Sequence, residues 1–91
     1  MQGIVITPHA RQRIKERLNC HENKIERVTQ KAFRSKEPIK MAYVNRREYM
    51  PYKKAFFKLF QGLVFVFRWQ YQPNIDKVCA VLITVLPYKK Y

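Results

Sequence analysis

Ninety-one residues make one domain, 1–91, near the lower end of what a single hydrophobic core stabilises. With 47% apolar residues the chain can build such a core, which excludes a disordered basic tail despite the net charge of +13. Two cysteines are too few for a disulfide framework, and the longest apolar runs, Leu63–Phe67 and Cys79–Ile83, are far too short to span a membrane.

In chain order, Ile4-Val5-Ile6 is a short apolar opening segment. Thr7-Pro8 then reads as a helix start, Thr as N-cap and Pro at the first helical position. Ala10, Ile14 and Leu18 recur every four residues and predict a helix over 7–18. A polar connection follows from Asn19 to Asn23. Ile25, Val28, Ala32 and Phe33 share one face of a second helix over about 22–35, which Pro38 forbids from continuing. After Pro38 the period changes. Ala55 to Phe60 is aromatic, Leu63 to Tyr71 is rich in β-formers, and Gln61-Gly62 between them makes a tight antiparallel hairpin. In the second of these strands Phe65 and Phe67 are expected to face inward, followed by Trp69. Gln72-Pro73-Asn74 punctuates the chain, and Val78 to Leu86 reads as a buried final strand that Pro87 stops. The expected fold is α+β: two N-terminal helices packed on one face of a three- to four-stranded antiparallel sheet built from residues after Pro38.

Charge points to the partner. Nineteen Lys and Arg against six acids run through the whole chain, a self-repulsion that an anionic partner relieves. RNA or a ribosome is the expected partner, with affinity falling on the order of a thousandfold between 50 and 200 mM salt if six or more phosphates are contacted. Membrane headgroups fit less well, because the cations do not lie opposite one broad apolar helix face. Residues 1–10 carry no basic start followed by a long apolar run, so the expected compartment is the cytoplasm.

His9, Arg13 and Arg17 are spaced i, i+4, i+8 and form one stripe on the first helix, bordering Ala10, Ile14 and Leu18. Such a stripe emerges at the rim of a core, where a scaffold holds a charged group rigidly against a ligand. The same spacing also describes an ordinary basic helix flank.

The stretch Ile6-Thr7-Pro8-His9-Ala10-Arg11-Gln12-Arg13-Ile14-Lys15-Glu16-Arg17 resembles the opening helix of a bacterial and phage domain family of unassigned function, written I-T-x-H-A-x-x-R-(M/I)-x-E-R. That family ends in a strand carrying a Thr, as Leu82-Ile83-Thr84-Val85-Leu86-Pro87 does here. The resemblance implies a fold similar to RelE/ParE-like toxins and small metal-independent ribonucleases. It implies His9, Arg13, Arg17 and Thr84 as catalytic residues, with Thr84 within a few ångströms of His9 and Arg13. An acidic protein partner such as an antitoxin is implied as well. The likeness covers the first helix and last strand; from about 19 to 71 only the element order matches. Where the family has a Gly, an apolar residue and a capping Ser or Thr, this chain has Leu18-Asn19-Cys20-His21, so a different inter-helix turn is expected.

The residue chemistry is compatible with cleavage. An imidazole can accept the 2′-OH proton, and guanidinium forks suit the phosphate. The acids Glu16, Glu22, Glu26, Glu37, Glu48 and Asp76 form no set for metal-dependent hydrolysis, and His9, Cys20, His21 and Cys79 match no familiar zinc spacing. No metal and no cofactor is therefore expected. A second constellation interleaves aromatic and basic residues suited to single-stranded RNA: Arg46, Arg47, Tyr49, Tyr52, Lys53, Lys54 and Arg68, with Lys89 and Lys90 at the end of the chain. Three functions stay open. The first in rank is a toxin-like endoribonuclease. The second is a non-catalytic module gripping RNA, a ribosome or DNA as a phage or mobile-element accessory. The third is an interaction protein that meets an acidic partner.

Overall fold

A computed structural model describes residues 3–40 and 54–88. Arg46, Arg47, Tyr49, Tyr52, Lys53, Lys89 and Lys90 of the aromatic and basic constellation lie outside them. The first helix, α1 (Pro8–Leu18), forms where the apolar period placed it, with Pro8 in its first turn and Ala10 and Ile14 fully buried. Asn19 ends it in the left-handed region (φ 49°), which Asn tolerates best among residues other than glycine. A 3-10 turn (Glu22–Lys24) leads into α2 (Ile25–Phe33), which buries Ile25, Thr29 and Ala32. The predicted second helix thus divides into two pieces and stops two residues early. Ser35 draws the chain away from it by donating its hydroxyl to the Leu59 carbonyl at 2.6 Å.

Three strands follow: β2 (Phe56–Phe60), β3 (Leu63–Gln72) and β4 (Lys77–Pro87), an antiparallel meander from residues after Pro38. Gln61 (φ 52°) and Gly62 (φ 73°) supply the two positive-φ positions of the two-residue turn joining the first pair. The antiparallel expectation needs one correction. Val5–Ile6 is itself a strand, β1, and it pairs in parallel with Val81 and Leu82, so the sheet is mixed with order β1-β4-β3-β2. At two residues the segment was too short to carry a strand period of its own. Tertiary pairing with β4 created it.

Both faces of the sheet are covered. On one, Ala10, Ile14, Ile25 and Ala32 of the helices meet Leu63, Phe65, Phe67, Ala80, Leu82 and Val85. On the other, Val64, Val66, Ile83 and Leu86 are packed by Ile39, Ala55, Phe57 and Tyr88. This double burial explains why β3 and β4 read as nearly continuous apolar runs rather than alternating ones. The ladder between them slips once: Val66 pairs with Thr84, but Phe67 pairs with Leu82, which leaves Ile83 as a bulge.

Thr7 fastens α1 to that bulge. Its backbone N–H donates to the Leu82 carbonyl at 3.2 Å, and its hydroxyl lies 3.1 Å from both the Leu82 and the Ile83 carbonyl oxygens. The same hydroxyl accepts from the Ala10 N–H at 3.2 Å, capping the helix. Thr7→Val keeps the shape and removes the cap, so it is expected to cost about 1–2 kcal/mol. Urea unfolding checks this, and an unchanged midpoint would show that the cap is idle.

Candidate nucleic-acid interface

The α1 stripe forms, but much of its charge is already spent. Arg13 donates to Glu16 at 2.7 Å, and Gln12 donates to the same carboxylate at 2.8 Å. These two hydrogen bonds, Gln12 first and then Arg13, hold the Glu16 carboxyl below its ordinary pKa. Arg11 lies 3.6 Å from Glu22 and 3.3 Å from Glu26, and Lys15 pairs with Glu22, whose pKa that contact lowers. Glu22 and Glu26, across the seam from α1, and Glu16 within α1 thus neutralise Arg11, Lys15 and Arg13. His9 and Arg17 stay exposed, without ion-pair partners among the described residues.

Thr84 does not join them. It is 4% exposed and sits opposite Val66, a member of the cluster on the face away from the helices. Directly opposed residues of an antiparallel pair share a face. The last strand does run beneath α1, as Thr7 shows, but the bulge at Ile83 changes which way the following side chain points. Without that slip Thr84 would have followed Leu82 toward the helices. The structure therefore does not gather His9, Arg13, Arg17 and Thr84 into one site. Comparison with known proteins finds no matching family model, no matching curated protein and no matching solved structure.

Of the second constellation, Lys54 is exposed in the turn before β2 with φ 59°. Arg68 is half-buried opposite Val81, on the face away from the helices, and donates to Gln70 at 3.2 Å. Trp69 follows the Phe67 face as expected, yet it is 52% exposed. Among the described residues no helix is long and apolar enough to cross a membrane, and no three His, Cys, Asp or Glu side chains gather as metal ligands.

A second line of cations lies elsewhere. Lys24, Arg27, Lys31 and Arg34 fall at i, i+3, i+7 and i+10, all exposed, on the side of α2 opposite buried Ile25, Thr29 and Ala32. Over those ten steps the stripe runs about 15 Å. Among the described residues Lys24, Arg27 and Lys31 make no ion pair. The one acid in α2, Glu26, turns toward Arg11 of α1 instead. The spacing is present in the sequence, where Glu26 interrupts it.

Proposed function

We propose that this chain is an RNA-binding domain that grips the phosphate backbone through the outer face of α2 and does not cut it. The observation that carries the reading is the segregation of charge. Glu22 and Glu26 turn to the cations of α1, whereas Lys24, Arg27, Lys31 and Arg34 present four exposed cations in one line. A row of exposed guanidinium and ammonium groups on a rigid helix suits a row of phosphates. A bilayer suits it less well, because the apolar side of α2 is consumed in the core and has nothing to insert. The α1 motif from Ile6 to Arg17 supports a RelE/ParE-like ancestry. Loss of a catalytic arrangement fits a member that kept the grip and not the chemistry: Thr84 lies across the sheet and Arg13 is occupied by Glu16.

The test is binding of a short labelled RNA together with a gel that reports its integrity. Reversing two charges, Arg27→Glu with Lys31→Glu, is expected to weaken binding about a hundredfold, about tenfold for each lost phosphate contact. Arg13→Ala should stay within about threefold, because its partner is Glu16 rather than solvent. Affinity that ignores the α2 reversal overturns the assignment of the face. Time-dependent cleavage that His9→Ala abolishes would restore the ribonuclease reading.

A further inference from the structure

The cationic line on α2 ends at an opening in the core. Between the last turn of α2 and the β1 side of the sheet lies a cleft of about 250 Å³, lined by Ile4, Gln30, Phe33, Arg34, Trp69 and Ala80. Its lining is mostly apolar, and its one broad wall is an indole. Phe56, on the β2 side, stacks against Trp69 with ring centroids 5.7 Å apart and planes 28° apart. Phe33 meets the indole edge-on at 6.0 Å. Ala80, the partner of Trp69 across the β3–β4 ladder, lies on the other side. The indole is therefore braced from the β2 side and borders open space on the β4 side. One part of the indole thus packs on Phe33 and Phe56, while about half of the residue stays open to solvent.

We infer that this cleft takes one unstacked nucleobase, stacked on Trp69, from a strand whose phosphates follow the α2 line. The inference rests on the RNA-binding reading and narrows it to single strands. Three features select the occupant. The volume suits one planar ring system, being below the range of pockets for drug-sized ligands. Gln30 brings an amide with both donors and an acceptor, which no described residue engages, as the edge of a base requires. Arg34 belongs both to the cleft and to the cationic stripe, so a backbone that reaches the end of the stripe arrives at the cleft. A duplex keeps its bases stacked inside and offers none to the indole.

Trp69 is the only tryptophan, so its emission reports the cleft directly. The parent protein is titrated with a single-stranded RNA, with an abasic strand of the same length and with a duplex, following indole emission and, separately, polarisation of a label on the strand. The expected result is quenching by the single-stranded RNA alone, with the abasic strand binding about tenfold more weakly and leaving the emission unchanged. Trp69→Ala should lower affinity for the single strand about tenfold and leave abasic binding unaltered, with Trp69→Phe in between. Equal binding of intact and abasic strands without quenching overturns the base site and leaves the backbone grip standing. Failure of every strand to bind overturns both. If Trp69→Ala does not fold, the quenching of the parent and the Trp69→Phe variant decide the matter.

Discussion

Raising salt from 50 to 200 mM is expected to weaken RNA binding about fiftyfold, a slope of log affinity on log salt of about −2.8. That figure follows from four phosphates on Lys24, Arg27, Lys31 and Arg34, each releasing about 0.7 of a counterion from a single strand. It is well short of the thousandfold expected for six or more phosphates, because Arg11, Arg13 and Lys15 already have carboxylate partners. The charge reversal Arg27→Glu with Lys31→Glu should flatten the slope by about 1.4. A polarisation titration at several salt concentrations measures both. A flat salt response would remove phosphate contacts from the mechanism, and a slope that the double variant leaves unchanged would move them off α2.

Phe67→Ala is expected to remove a large part of the domain's stability. Phe67 is fully buried at the centre of the helix-side core, opposite Leu82, with its ring 5.4 Å from Phe33 and 5.5 Å from Phe56. Truncating such a side chain removes its transfer energy and leaves a cavity that a double-sided sheet cannot close, at a cost of about 3–5 kcal/mol. A small domain commonly has only about 5–15 kcal/mol in total. Trp69→Ala, two residues along the same strand face, should cost about 1–2 kcal/mol, since half of that side chain is already wet. Urea unfolding followed by circular dichroism separates the two. A Phe67→Ala loss below about 2 kcal/mol would mean that the aromatic cluster relaxes into the hole.

Where the chain carried a strong local signal, the sequence could be read directly. Thr7-Pro8 opens α1, the four-residue apolar period fixes its buried face, and Gln61-Gly62 marks the hairpin between β2 and β3. What stayed hidden is non-local. Nothing in Val5-Ile6 announces a strand, because its pairing depends on Val81 and Leu82 at the far end of the chain. The slip at Ile83 likewise arises from the β3–β4 ladder, and it alone decides that Thr84 turns away from the α1 stripe. The pairing of charges is partly hidden at the same boundary. Arg13 and Glu16 are a local i,i+3 pair, but which cations meet Glu22 and Glu26 is settled by how α1 lies against α2. Trp69 was placed correctly on the inward face, yet its exposure depends on α2 ending at Phe33, short of covering it.

The placement of β4 also sets an order of events in time. One of the two strands at the middle of the sheet, β4, is the last described strand in the sequence, and Thr7 must wait for carbonyls that lie 75 and 76 positions downstream. During synthesis the helices therefore emerge long before the surface that buries Ala10 and Ile14, and the completed sheet can close only once β4 is available. Such distant closures slow folding toward the millisecond-to-second range of sheet-rich domains. Until then the nascent chain displays the apolar helix faces that β4 will cover, the kind of transiently exposed surface through which chains aggregate.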